Sequence, residues 1–299
     1  MTSPLKISNL VKKYGDMTAV DNVSFEMKPG EIFGLLGPNG AGKTSIISCI
    51  VTLEQATAGE IQVYGKDVVK DTKNAKAIIG FVPQELINHG YFNVEEILHF
   101  HSGYYGHGAN KERIDYLLHK LALYEHKHKK VKSLSGGMKR RLLIAKALVH
   151  NPKILLLDEP TAGVDIELRT SLWEFVEELR KEGLSILLTT HYLEEAEQLC
   201  DRVGILQKGV LKRIGPTAEL IQELTQREIS ITVIGETGHL KHSCLIEQNG
   251  QNLKFRVPTH MGVGDLINEL KLDLNCVQDL NIKEGSLEDA FLNVLGGDL

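Results

Sequence analysis

The run Gly37-Pro-Asn-Gly-Ala-Gly-Lys-Thr44 constrains this chain more than any other feature. It matches G-x-x-x-x-G-K-[ST] and lies between an apolar strand-like run, Glu31 to Leu36, and a helix-like segment from Ser45 onward. Strand, glycine-rich turn and helix form a geometry in which backbone N–H groups turn inward around phosphates. The positive end of the helix adds to the anion site. On this reading Gly37, Pro38, Asn39, Gly40, Ala41 and Gly42 make the cradle, and Ser45 completes the nucleotide-contacting run. Lys43 reaches the β- and γ-phosphates, and Thr44 binds Mg²⁺. The blander alternative is a strand–turn–helix joint whose glycines serve only the turn.

A second segment supplies carboxylates. Lys153-Ile-Leu-Leu-Leu-Asp158-Glu159-Pro160 reads as a buried strand that delivers two acids at its C-terminal end, where open α/β sheets bind ligands. Asp158 would hold Mg²⁺, directly or through water. Glu159 would polarise an attacking water as general base. A core strand ending in a solvated acidic turn is the competing reading. Ser135-Gly-Gly137 precedes a helix rich in basic and apolar residues. Ser135, Gly136 and Gly137 form either an ordinary helix cap or a second anion site. No second phosphate loop is visible for such a site to serve. As an anion site it would therefore cap the γ-phosphate held by another copy.

Strands alternating with helices imply an α/β core. Leu5 to Leu10, Gly59 to Gly65 and Ile78 to Val82 read as strands, as do Lys153 to Leu157, Ser185 to Thr190 and Val203 to Leu206. Gln207-Lys-Gly209 reads as a hairpin turn. Residues of about 85–150 form a helical insertion. Gly215-Pro216 marks a boundary between a domain of residues 1–216 and an accessory α/β unit of residues 217–299. In that tail, Glu228 to Val233 and Leu253 to Val257 read as strands, and Ser286-x-x-Asp289 is a capping box.

With 42% apolar residues the chain can bury a sizeable core. Its 39 acidic and 34 basic residues give a net charge of −5, which argues against nonspecific nucleic-acid binding. The basic run Glu125-His-Lys-His-Lys-Lys130 reads as a solvated loop. Four scattered cysteines without a Cys-x-x-Cys pair fit a reducing cytosol. No signal peptide is expected, and no apolar run approaches the ~18 residues needed to span a bilayer. A membrane role would need another chain to supply the channel.

The phosphate loop, Leu134-Ser-Gly-Gly-Met138, Leu157-Asp-Glu-Pro160 and His191, in this order and spacing, resemble the ATP-binding cassette (ABC) ATPases. The match runs over about residues 5–215. The resemblance implies a P-loop NTPase core of the ABC type, with an antiparallel β subdomain and a helical insertion. It also implies that Tyr14 stacks on adenine and that Gln84 meets Mg²⁺ and water. Asp165 would contact the partner across a dimer, and His191 would contact the γ-phosphate. With Glu159, Gln84 and His191 make the catalytic set; Thr44, Gln84 and Asp158 make the metal set. Met138 and Ala162 depart from the family's usual glutamine and serine. The tail, Ser286 to Leu292, is similar to the extension of cassettes that serve drug, lipid or polysaccharide exporters.

The implied protein binds ATP and Mg²⁺, works as a homodimer or with a similar cassette, and powers export through an integral membrane permease subunit. It would be cytoplasmic, peripheral on the cytoplasmic face of the membrane. The alternative is a soluble ABC ATPase acting on ribosomes or DNA. Such proteins usually carry twin cassettes or a long inserted coiled coil, and this chain shows one cassette and no heptad run.

Overall fold

A computed structural model of the chain describes residues 2–85, 90–108, 110–234, 240, 242–258, 261–272 and 274–296. Backbone contacts divide it into two compact units, Met1–Ile214 and Gly215–Leu299.

The first unit holds two sheets. One is six-stranded, in the order β10 (Val210–Pro216), β9 (Arg202–Gln207), β3 (Ile32–Leu36), β8 (Ser185–Thr190), β7 (Ile154–Asp158), β6 (Ile79–Val82). Strands β9, β3, β8, β7 and β6 run parallel. Every residue of β3, β7 and β8 is buried. Parallel strands covered on both faces read as continuous apolar runs, which is why these three are plain in the sequence. Lys208 and Gly209, with φ of 47° and 81°, close the β9–β10 hairpin.

The register fixes where function sits. Leu36 lies opposite Thr190, and Asp158 lies opposite Thr189. The chain therefore leaves three neighbouring strands at Gly37, Glu159 and His191, all at the carboxyl edge of the sheet.

The second sheet is antiparallel, in the order β2 (Met17–Glu26), β1 (Leu5–Tyr14), β4 (Ala58–Val63), β5 (Lys66–Asp67). Strand β1 runs four residues beyond the expected Leu10, because register shifts between Ile7 and Lys13 break the alternation that marks a strand in sequence. Helices α1 (Lys43–Ile50) and α2 (Thr72–Lys76) follow β3 and β5. Between β6 and β7 come α3 (Val94–Tyr104), α4 (Lys111–Lys120) and α5 (Gly136–Leu148). Asn93 starts α3 with a capping box: its side chain accepts from Glu96 N at 2.8 Å, and Glu96 accepts from Asn93 N at 2.9 Å. Helices α6 (Ile166–Lys181) and α7 (Leu193–Leu199) flank β8 in the chain.

The second unit carries an antiparallel sheet in the order β12 (Leu245–Asn249), β13 (Asn252–Pro258), β11 (Gln226–Val233), β14 (Val277–Lys283). Ile229, Ile231, Val233, Leu253, Phe255 and Val257 point to one face and pack with Leu266 of α9 (Val263–Leu270). Helix α8 (Thr217–Leu224) meets α10 (Leu287–Gly296), where Asn293 donates to Leu224 O at 2.6 Å. The Ser286–Asp289 box forms at the start of α10: Ser286 N donates to Asp289 Oδ2 at 2.9 Å, and Asp289 N donates to Ser286 Oγ at 3.2 Å.

Packing of β3 against the segment before β9 leaves no room for a side chain at Gly34. A Cβ there would meet Cys200 Sγ at 2.7 Å and Val203 Cγ1 at 3.1 Å. Gly34→Val should destabilise the first unit by about 1–3 kcal/mol. Urea unfolding measures this as a lower midpoint, and an unchanged midpoint would contradict the packing.

Candidate nucleotide-binding and active site

Glu159 is the meeting point. It follows β7, takes φ of 48° and is 6% exposed. Left-handed backbone is uncommon for a residue with a side chain, and it persists only where surroundings hold it. Here the Glu159 N–H donates to Thr189 O at 3.0 Å. Its carboxylate accepts from Gln84 Nε2 at 2.9 Å, lies 3.2 Å from His191 Nδ1 and lies 3.6 Å from Lys43 Nζ. Four side chains that the sequence offered separately are thus in one cluster.

Lys43 begins α1 and is 5% exposed. Its ammonium donates to Gly37 O at 2.7 Å and Pro38 O at 3.2 Å, so it curls over the loop it follows. Burial lowers its pKa, and the Glu159 carboxylate opposes that shift. Gly37 and Ala41 are buried, Gly42 and Ser45 are half-buried, and Pro38, Asn39, Gly40 and Thr44 are exposed, so the loop presents one side to solvent. Gly42 has φ of 107°, and a Cβ there would lie 2.4 Å from Ala19 O. Strand β2 therefore passes against the loop at a position that only glycine can occupy.

Asp158 ends β7 and is 2% exposed. Its Oδ1 accepts from Thr189 Oγ1 at 2.5 Å. Burial raises its pKa; hydrogen bonds from Thr189 and Thr44 and the charge of Lys43 pull it back. Thr44 and Asp158 thus place a hydroxyl and a carboxylate together beside the loop. These hard oxygen donors suit a small divalent cation. Among the described residues, no group of three or more His, Cys, Asp and Glu side chains forms a metal cage.

The remaining candidates lie apart from this cluster. Ser135 caps α5, its hydroxyl accepting from Met138 N at 3.3 Å, and Ser135 and Gly136 are exposed. No hydrogen bond or ion pair among the described residues joins Ser135, Gly136 or Gly137 to Lys43, Asp158 or Glu159. Asp165 caps α6 by accepting from Leu168 N at 2.8 Å. Tyr14 ends β1 and is 39% exposed.

Sequence reasoning missed Arg140 and Thr189. Arg140 is 3% exposed within α5. Its guanidinium donates to Pro83 O at 2.8 Å, Gln84 O at 3.1 Å and Glu159 O at 3.4 Å. Burial lowers its pKa, and the charges of Asp158 and Glu195 oppose that. One side chain thus ties the signature helix to both Gln84 and Glu159. The only signal was a basic pair, Arg140-Arg141, which a solvated helix face would show equally.

A lysine concentrates its donors on one nitrogen and lacks the planar fork by which Arg140 reaches these carbonyls from two. Arg140→Lys should lower ATP turnover ~10-fold or more, as loss of hydrogen bonds from a charged donor costs about 1.5–3 kcal/mol each. Steady-state phosphate release measures this, and wild-type turnover would contradict it.

Comparison with known proteins shows the family. Residues 20–162 match the family model described as ABC transporter. The chain is 37% identical to the linearmycin resistance ATP-binding protein LnrL of Bacillus subtilis (strain 168), with 99% of each chain covered. It is 38% identical to the Nod factor export ATP-binding protein I of Rhizobium etli, covering 99% of this chain and 94% of that one. Among solved structures, an ATP-binding subunit of an ABC transporter superposes with a TM-score of 0.69 at 27% identity, covering 74% of this chain and 93% of that one. A dimeric ATP-binding cassette in a post-hydrolysis state, bound to ADP and phosphate, superposes with a TM-score of 0.65 at 27% identity, covering 71% and 98%. The fold, the clustered site and relatives matched along nearly their full length place this chain in the family of ATP-binding, ATP-hydrolysing subunits of ABC transporters.

Proposed function

We propose that two cassettes hold two molecules of MgATP at their interface and that hydrolysis there drives export through a separate permease. The observation that carries the chemistry is the Glu159 carboxylate gathered by Gln84, His191 and Lys43. Lys43 exchanges its loop carbonyls for the β- and γ-phosphate oxygens. Glu159 takes a proton from the attacking water as its oxygen bonds to the γ-phosphorus, and the bond to ADP breaks. Gln84 and His191 hold the carboxylate and the water in place, and His191 contacts the γ-phosphate. Thr44 and Asp158, with Gln84, would hold Mg²⁺, which when bound neutralises charge between the β- and γ-phosphates.

The shared site rests on Ser135. Each chain has one phosphate loop, and its own Ser135-Gly-Gly137 makes no bond to it. The segment instead presents an exposed helix N-terminus suited to the γ-phosphate of a second copy. Gly137 is fixed there, since a Cβ would lie 2.7 Å from Leu168 Cδ2. Asp165 is exposed beside this packing, as a residue meeting the partner would be. The partner is a second copy of this chain or a similar cassette.

The permease partner fits a groove of about 380 Å³ whose lining includes Pro83, the residue before Gln84. Leu53, Phe81, His101, Tyr105, Leu143 and His150 line it. Its apolar lining suits an amphipathic helix from a membrane chain. Gln84 and the residues after it, Glu85 to Val94, would receive that helix; residues 86–89 of this stretch lie outside the described residues. Charge reversal at Glu95 or Glu96 would disturb α3 as well as this surface, since Glu95 lies 3.6 Å from His128 and Glu96 completes the cap of α3. No helix among the described residues is long and apolar enough to cross a membrane. The chain would work peripherally on the cytoplasmic face. Named relatives in drug resistance and in export favour outward transport, and they favour a transporter over a ribosome or DNA partner.

Cysteines at the exposed positions 39 and 136, the latter with open space for a Cβ, should crosslink between chains only when ATP is present, read on denaturing gels. Crosslinks confined within one chain would remove the shared site. Lys43→Ala should weaken MgATP binding and stop turnover, and unchanged affinity and rate would make the loop structural. Leu53, 69% exposed in the groove, offers a separate probe. Leu53→Arg should lower co-purification with the permease while MgATP still binds; full recovery of the complex would move the docking surface elsewhere.

A further inference from the structure

Lys12 belongs to no motif, yet it is 7% exposed, an unusual burial for a lysine. It sits on β1 two residues before Tyr14. Its ammonium donates to Glu54 Oε2 at 2.8 Å and to Gln55 O at 3.0 Å, and lies 4.5 Å from the centroid of the Tyr14 ring. The hydrogen bond to Glu54 holds its pKa above the ordinary value, so it is a cation at neutral pH. An ion pair with one partner in solvent, as Glu54 is here, is worth little alone. Here the same ammonium has a carboxylate, a carbonyl and a ring face as partners.

The place of Glu54 gives these contacts meaning. Glu54 and Gln55 lie in the turn after α1, and the N–H groups of Leu53 and Glu54 return to Ser48 O of that helix at 2.9 and 3.1 Å. A further tie joins the turn to β1, where Thr57 N donates to Val11 O at 2.8 Å and Thr57 Oγ1 accepts from Lys13 N at 2.9 Å. The first residue of α1 is Lys43. One helix thus begins at the phosphate loop and ends at the turn that grips Lys12. A cation over a ring is attracted to the ring's negative face and fixes its orientation. Tyr14 is 39% exposed, which leaves ring surface on which a planar base can stack.

We propose that Lys12 is a positioning residue for the nucleotide base: it clamps one face of Tyr14, so that the other becomes a platform whose distance from the phosphate loop is set by α1 through Glu54. This rests on the reading of Tyr14 as the adenine-stacking residue.

The test compares MgATP with magnesium tripolyphosphate, which carries the phosphates without a base, by titration calorimetry on the full chain. Lys12→Met keeps the apolar stem and removes the cation. It should weaken MgATP binding roughly three- to tenfold and leave tripolyphosphate affinity unchanged. Lys12→Arg, which also stacks on rings, should restore most of the loss. In a Tyr14→Ala background, Lys12→Met should cause no further loss. If Lys12→Met does not fold, Glu54→Gln loosens the same lysine and should show a smaller loss with the same selectivity for the base. Equal weakening of both ligands would make Lys12 a structural brace and overturn the proposal. Unchanged MgATP affinity in the Lys12 and Glu54 variants, with a loss in Tyr14→Ala, would overturn the role of Lys12 and keep the platform. Unchanged affinity in Tyr14→Ala would overturn the platform reading and the proposal with it.

Discussion

The structure of the site depends on one buried carboxylate. Removing a charge from water is expensive, and it is tolerated only where partners replace the lost solvation. Glu159 finds them in Lys43, Gln84 and His191, at 3.6, 2.9 and 3.2 Å. Each partner leaves a different strand, β3, β6 or β8, and Glu159 itself leaves β7. The parallel register is what brings these exits together. A one-residue slip of β7 against β8 would turn Glu159 away from Gln84 and His191 and would leave Lys43 without its counter-charge.

The same cluster connects outward. Arg140 binds the backbone on both sides of the Gln84–Glu159 contact, so a displacement of α5 is felt at Glu159. Ser135 starts that helix, and Gly137 packs on Leu168, three residues past Asp165. A phosphate bound at Ser135 would therefore act on a unit already tied to Gln84 and Glu159. In the proposed dimer, closure would reach the chemistry by this route, as a two-state motion biased by differential binding. Met138, where the family usually has glutamine, still donates its N–H to Ser135 Oγ. Ala162, where serine is common, donates its N–H to Glu159 O at 3.2 Å. Both departures keep a backbone role.

Much of this was legible in the sequence, and the reason is chemical. Glycines at a phosphate loop, acids at a strand end and a buried parallel strand each leave a pattern that few alternatives share. Arg140, Thr189 and Lys12 left none. Each acts through backbone carbonyls, a single hydroxyl or a ring face, and its neighbours in sequence, Arg141, Thr190 and Lys13, look the same. The tail was harder for a different reason. Strands β12 and β14 show mostly exposed or half-buried residues with weak alternation, so periodicity could not separate them from loop. Strand β11 and strand β13, with a clean buried face, were plain.

In the proposed reaction, everything turns on Glu159 as the group that would take the proton from water. Steady-state ATP hydrolysis by Glu159→Gln, measured alongside MgATP binding, tests this most directly. Loss of a general base alone typically lowers the rate by ~10²–10⁴-fold, and a dimer trapped with ATP would add to that. Such a loss is expected with MgATP still bound. Near-normal turnover would contradict it.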